Sequence, residues 1–524
     1  MWFGSMKKGI TTHLKRYSPV TMTNALVNFK KICSLPLVRL VSLEASLEAE
    51  KKKGLFRLNH WRFSRKAKCL TVVAIVAVLL LSAFEFFPKQ NVDRDNVVPQ
   101  NGDNSTATPS PTAAANEDNG SSSNLTQWIS ELTGSKEQTS GSSWVGSPGL
   151  IQSAQTINST VWMEVAANAW AYFQLGVGVN PITGLPYAGG LTFEAFTDWD
   201  LGVYIQAVID AQELNLTGTG GAWGSSARID KVLTFLENRP LNNATNYPWQ
   251  FYDATTGKEA YSVSQEATVD ITDTGRLFVA LSNLINFNSS LAPQIITIVG
   301  RCNYTALVPG IESDSLTSVN IYSYYVYSGF ASFWPNQLSN APINILNNIL
   351  SAGNVTTYGN VSLPKGQISC VPLLCSVFEL DNNNSQLMGL MNQVYLAHEA
   401  YYNATRQYVA FGEGNGFSTS AYLDEWVVLP NGDTWKITAS GSSSYLGINQ
   451  SNYIIYNYVA FGFLSLYNTM FARNTVIYLE QRLPDPSGGY AEGADNSGNV
   501  VSMVGSNTNG LILDAALYYI QNNP

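Results

Sequence analysis

One hydrophobic run, CLTVVAIVAVLLLSAFEFF from Cys69 to Phe87, constrains this chain more than any other feature, because it separates two parts of opposite charge. Residues 1–68 carry 15 Lys+Arg against three acids (Glu44, Glu48, Glu50), a net +12. The remaining residues carry 14 Lys+Arg against 35 acids, a net −21. Nineteen residues with a single acid, Glu85, are enough to cross a bilayer as a helix. The basic flank ending in Arg62, Arg65, Lys66 and Lys68 belongs on the cytoplasmic side. The expectation is a single-pass anchor in the cell membrane over residues 69–87, with the lipid bilayer as a partner. A basic segment, 1–68, is then cytoplasmic and everything beyond about residue 88 is extracellular. A cleaved signal peptide fits poorly, since 68 residues precede the run. A buried core helix fits poorly too, since the run is apolar on all faces.

Residues 88–147 are dominated by Pro, Asn, Ser, Thr and Gly. Such a segment cannot bury enough surface to offset its ordering entropy, so a flexible stalk is expected. Asn-x-Ser/Thr sequons begin at Asn104 and recur at Asn119, Asn124, Asn158, Asn215, Asn243, Asn288, Asn303, Asn354, Asn360, Asn383, Asn403 and Asn449. None precedes the apolar run. A chain rich in Asn, Ser and Thr makes many sequons by chance, so this one-sided placement is modest support for N-glycosylation outside the membrane. Cys370 and Cys375 flank a VPLL segment; either they close a small loop in an oxidising setting or all three outer cysteines, Cys302 included, are buried free thiols. No second CxxC-like pair points to a metal.

The outer domain, 148–524, is interrupted by no second stalk-like linker. Apolar residues at helical spacing predict helices over Ile157–Leu175, Thr197–Leu214, Ser226–Asn238, Thr272–Phe287, Val319–Trp334, Asn384–Phe411, Asn452–Phe471 and Thr508–Gln521. Pro430-Asn431-Gly432-Asp433 between VVL and TWKI predicts a β-hairpin over Glu425–Ile437. Many helices joined by long Gly-, Asn- and Pro-rich connections suggest an all-α toroid with a small hairpin rather than a compact bundle. Within it, Thr197 and Asp200 form a capping-box variant at one helix start, and Asp270 and Asp273 open another.

Ordered blocks then carry a resemblance. AWAYF (169–173), TGLP (183–186), TDWDLGVYIQAVIDAQEL (197–214), ARIDKVLTFLENRPL (227–241), YDATTGK (252–258), DITDTGRLFVAL (270–281) and YSYYVYSGFASFW (322–334) resemble the "domain of unknown function 3131" family. GGYAEG (488–493) and TNGLILDAALYY (508–519) resemble the closing motifs of that family and of glycoamylase-like proteins. The stretch from about 336 to 450 shows no clear match. The resemblance implies an (α/α)6 toroid of the kind that glucan-cleaving relatives use, while the 3131 family itself has no settled activity.

The side-chain inventory narrows the chemistry separately. Beyond the apolar run the only histidine is His398, in an HEAYY stretch without the second His of a zinc-binding helix. Carboxylates are the acid–base groups left, and a pair of them is what glycoside hydrolysis needs. Glu492, in GGYAEGAD, is the candidate general acid, with Asp200 or Asp273 as base or nucleophile. Trp199 and Arg276 are the foremost candidate substrate contacts, joined by Asp198, Asp270 and Glu413, the last in a Gly frame, FGEGNGF. Each acid has a plainer reading as a helix cap or solvated turn residue. Most of the tryptophans at helical spacing belong to a core. No cofactor or metal is expected, and no nucleic acid, since a region at −21 repels phosphate. Two function classes stay open: a glycoside hydrolase or transglycosylase acting on polysaccharide, and a non-catalytic glycan-binding or structural envelope protein.

Overall fold

The computed structural model describes residues 149–190, 193–260, 269–380, 384–417, 422–439 and 453–523, all within one unit, Gln138–Pro524. The expected cytoplasmic segment, membrane span and stalk lie outside the described residues. Among those described, no helix is long and apolar enough to cross a membrane.

Outer and inner helices alternate along the chain. Helix α1 (Ser159–Tyr172) precedes α2 (Asp198–Glu213), and α3 (Ser225–Asn238) precedes α4 (Ile271–Phe287). The short pair α5 (Ala292–Val299) and α6 (Val308–Ser315) precedes α7 (Ile321–Phe333). Then α8 (Ala341–Ser351) precedes α9 (Cys370–Phe378), α10 (Ser385–Thr405) precedes α11 (Asn457–Tyr467), and α12 (Met470–Glu480) precedes α13 (Ser506–Asn522). The inner members α2, α4, α7, α9, α11 and α13 pack each on the next, and α13 returns to α2. A ring of six closes. Outer helices back it: α1 on α13, α3 on α2, α8 on α7, α10 on α9 and α12 on α11. The domain is mainly helical with small sheets, in an (α/α)6 arrangement.

Burial explains why the two sets read differently in sequence. Helix α2 is buried continuously from Asp198 to Ala211, as a helix enclosed on all sides must be. Helix α3 buries Ser225, Arg228, Ile229, Val232, Leu233 and Leu236, a single stripe. Close approach in the ring depends on small residues. A Cβ on Gly275 of α4 would lie 2.3 Å from Val326 Cγ1, and one on Gly329 of α7 would lie 2.2 Å from the Gly275 carbonyl. Side-chain caps fix many helix starts: Asn158, Thr197, Asp270, Asn320, Asn384 and Thr469 each accept from backbone N–H groups of the first turn.

Two short antiparallel ladders pair β1 (Ala195–Phe196) with β2 (Tyr252–Asp253) and β3 (Asn354–Thr356) with β4 (Ser362–Pro364). The expected hairpin forms. Strands β6 (Tyr422–Val428) and β7 (Thr434–Ala439) pair antiparallel with Val428 opposite Thr434, and Gly432 takes φ +88 at the turn. Strand β5 (Glu413–Asn415) extends that sheet. A second sheet runs β10 (Val500–Val504), β9 (Ala491–Ala494), β8 (Ile455–Tyr456). Three local expectations are corrected. The helix expected to reach Phe411 ends at Thr405, because Arg406 turns left-handed at φ 61. The helix expected over Asn452–Phe471 is two, broken by left-handed Asn468 and recapped by Thr469. Glu492 and Glu413 stand on strands, not on free loops. Cys370 and Cys375 share helix α9 as buried free thiols. Five helical residues apart, their side chains leave different faces.

Candidate active site

The starts of α2, α4, α7, α11 and α13 converge with strands β5, β6 and β9. A chain of contacts traces the site. Ser506 Oγ, opening α13, donates to Asp200 Oδ1 at 2.6 Å. The preceding Gly505 leaves its missing Cβ 3.9 Å from Glu492 Oε1. Glu492 Oε2 accepts from the Asn415 N–H at 2.9 Å and Oε1 from Asn415 Nδ2 at 3.0 Å. Two residues along the same strand, Glu413 accepts from the Tyr322 hydroxyl at the start of α7. The Tyr322 ring stands 6.5 Å from that of Trp199, which returns to α2.

Strand alternation assembles the β side. Glu413 and Asn415 face one way on β5, opposite Asp424 and Tyr422 on β6. Glu413 and Asp424 are therefore direct cross-strand neighbours of like charge. Tyr422 is 38% exposed and sits within electrostatic reach of Glu413, Glu492 and Asp200 together. Tyr458, from α11, donates to the Glu413 carbonyl at 2.8 Å and accepts from its N–H at 2.7 Å.

Five carboxyls here are held toward their protonated forms. Burial pushes Glu492 up to about 7, against the opposing hydrogen bonds from Asn415. Burial and then the Asp424 charge push Glu413 up to about 8. Burial alone takes Asp424 to about 6. Asp200 is raised by burial despite donors at Ser506 and Thr197. Asp273 lies well above the usual carboxylate range, first through burial and then through repulsion by Asp270 and Asp200. Its side chain keeps partial solvent access, whereas Glu492 and Asp200 are 6% and 8% exposed. Perturbed acids gathered at one place are the arrangement acid–base chemistry uses.

The remaining residues singled out from sequence stand differently. Asp198 is held in a buried ion pair with Arg239 and also accepts from Thr274 Oγ1 at 3.4 Å. Arg276 is fully buried, paired with Glu379, and its guanidinium lies 4.5 Å below the Trp199 ring. Trp199 itself donates from Nε1 to Asn507 Oδ1 at 3.1 Å and is 8% exposed. Asp270 is an exposed cap, accepting from the N–H groups of Thr272 and Asp273. The structure thus brings Glu492, Asp200, Asp273, Glu413 and the edge of Trp199 to one place, with Arg276 and Asp198 beneath. Sequence reasoning missed Tyr422, Asp424, Asn415 and Tyr322. The alternation in YLDEWVV places Tyr422, Asp424 and Trp426 on one face and was the available signal for the strand pair. Among the described residues no group of three or more His, Cys, Asp or Glu is placed to hold a metal ion.

Residues 164–523 match the family model described as "Protein of unknown function (DUF3131)". The chain belongs to this family. No curated protein matches the DUF3131 chain. Among solved structures it is similar to a "putative glucoamylase" from Bacteroides caccae, at 13% identity and TM-score 0.50, over 69% of this chain and 94% of that one. It is also similar to an endo-beta-1,2-glucanase from Chitinophaga pinensis, at 12% identity and TM-score 0.48, over 70% of this chain and 93% of that one. An endo-beta-1,2-glucanase from Talaromyces funiculosus follows at 10% identity and TM-score 0.47, over 71% and 86%. At 13% identity the likeness to the first of these is one of fold.

Proposed function

We propose that this DUF3131 chain is a membrane-anchored extracellular protein whose toroid is a glycoside hydrolase or transglycosylase acting on polysaccharide. One observation carries the chemistry: Glu492, Asp200, Asp273 and Glu413 meet at one rim beside aromatic rings, all displaced toward protonation. Glycoside cleavage needs one group to protonate the leaving oxygen and another to activate water or attack the anomeric carbon. Glu492, poised near neutrality, is the general acid. Burial and repulsion by Asp270 and Asp200 hold Asp273 toward its protonated form, and whichever of Asp200 and Asp273 is ionised is the base or nucleophile. Asp273 suits that role through its solvent access, and Asp200, tied to Ser506 and Thr197, sets its charge. Tyr422 offers a ring face to a sugar. The apolar run Cys69–Phe87 between segments of +12 and −21 supports the anchor and the outward placement.

The test is reducing-end release by the full chain from a panel of α- and β-glucans, beside Glu492→Gln, Asp273→Asn and Asp200→Asn. Loss of a general acid is expected to cost about 10²–10⁴ in rate. Release unaffected by Glu492→Gln removes that acid from the mechanism. Binding without release by the unaltered chain moves the site to the glycan-binding reading.

A further inference from the structure

The sequons are sorted by the fold. Eight of them have their asparagine among the described residues: Asn158, Asn215, Asn243, Asn288, Asn303, Asn354, Asn360 and Asn403. All eight are exposed. Of the other 26 described asparagines, 12 are exposed. The atom that N-glycosylation would substitute is sorted as well. Nδ2 donates a hydrogen bond in 14 of those 26. It donates to no described residue in any of the eight sequons. Asn457 and Asn509 show the contrast, buried and tied through Nδ2 to the carbonyls of Ala491 and Tyr490.

Where a sequon asparagine does structural work, it works through the other amide atom. Asn158 Oδ1 caps α1 by accepting from the Val161 N–H at 3.2 Å. Asn288 Oδ1 accepts from the Ser290 N–H at 3.2 Å and from the hydroxyl of Ser290, its own sequon residue, at 2.7 Å. An N-linked sugar keeps that carbonyl oxygen as an acceptor, so both caps survive modification. Two more, Asn215 and Asn360, sit at left-handed turns, φ 58 and 63.

From this sorting we infer that the domain is N-glycosylated at these eight asparagines. The reaction requires a lipid-phosphate-linked oligosaccharide as donor. The asparagine Nδ2 gives up one proton and forms a bond to the anomeric carbon. The bond from that carbon to the phosphate oxygen breaks, and the lipid phosphate leaves with the electron pair. No oxidant or reductant enters. The inference is independent of what the rim acids do, and it requires only that the domain face the compartment where such donors are used.

The full chain, purified from membranes of the cells that naturally make it, is digested and each of the eight peptides is weighed by mass spectrometry. A saccharide mass increment on the asparagine is expected at a majority of the sites. Unmodified asparagine at half of them or more overturns the inference. A chain with six of the asparagines changed to Gln, all but the helix-capping Asn158 and Asn288, made in the same cells, supplies a second readout. Because no described residue accepts a hydrogen bond from these Nδ2 atoms, it is expected to stay folded and to lose the mass increment at those six sites. An apparent mass unchanged from the unaltered chain would overturn the assignment.

Discussion

Two clusters of acids lie in the same ring, and they differ in what surrounds them. At the rim, Glu492, Asp200, Asp273, Glu413 and Asp424 gather where helix starts meet strands β5, β6 and β9. Deeper along the axis, Asp210 of α2, Asp514 of α13 and Glu379 beyond α9 gather around Arg276, all nearly inaccessible. Burial pushes Asp210 to about 6 and Glu379 to about 7, and holds Asp514 well above its ordinary value. Perturbation is equal in the two places, so it cannot by itself mark chemistry. Compensation and access separate them. In the axis Glu379 is closed off by Arg276 and the Tyr325 hydroxyl. Neither Asp514 oxygen meets an N–H or O–H donor; its neighbours are the carboxyls of Asp210 and Glu379, so protons must sit between them. The rim acids are met instead by neutral donors, Ser506, Thr197, Asn415 and Tyr322, and Asp273, Glu413 and Asp424 keep partial solvent access.

Removing the axial cation breaks this comparison hardest. Arg276→Met leaves Glu379 without its ion-pair partner inside the ring, and a loss of about 3–5 kcal/mol is expected. Urea denaturation of the full chain measures it. A loss below about 1 kcal/mol would mean that the axial acids are already neutral and need no cation. Glu492→Gln should do the reverse, costing reaction rate while leaving the urea midpoint near that of the unaltered chain.

The pH dependence ranks next. Glu413, Glu492, Asp424, Glu379 and Asp210 all have folded pKa values above the ordinary 4.5 or 3.8, at about 8, 7, 6, 7 and 6. A carboxyl raised in this direction binds its proton more tightly when folded. Its stabilisation is complete below the unfolded pKa and is lost as pH rises through the folded one. The urea midpoint should therefore fall between pH 5 and pH 9. Glu379→Gln should flatten the axial share of that slope and Glu492→Gln the rim share. A midpoint that rises over this range would refute the assignment of these acids as proton holders.

The sequence displayed the helix caps and five of the six inner helices, all but α9, whereas of the outer set it displayed only α1, α3 and α10. Stripes such as Ile229, Val232, Leu233 and Leu236 announce a helix with one buried face. Helix α9 hides its nature, because nine mostly apolar residues have no polar face to set a period and Pro372 reads as a breaker. Helices α5, α6 and α8 are short, and Pro293, Pro309 and Pro342 at their starts read as loop. At the site, Asp200 and Asp273 were legible because a helix start has a local signature. The pairing of β5 with β6 was not, since which strand meets Glu413 is decided by contacts distant in sequence. For the same reason the partners of Asp198 and Arg276, Arg239 and Glu379, were hidden. Those ion pairs are what move two candidate contacts beneath the rim acids.

The smallest effect asks whether Asp200 is a cap, an acid, or both. Thr197 Oγ1 accepts from the Trp199 N–H at 3.1 Å, while Asp200 Oδ2 accepts from the Thr197 N–H at 3.0 Å, completing the capping box. The same hydroxyl also stabilises the charged form of Asp273. Thr197→Ala should cost about 1 kcal/mol, the usual worth of such a cap. It should also raise the Asp200 and Asp273 pair further, because a donor to their charged forms is gone. If the pair does chemistry, the alkaline shoulder shifts with the variant in a pH profile of glycan release, and Thr197→Ser restores it. If the pair only caps, stability falls while the pH profile stays in place. The stability change is common to both outcomes, so only the profile distinguishes a helix start that happens to be acidic from one whose acids act on a ligand.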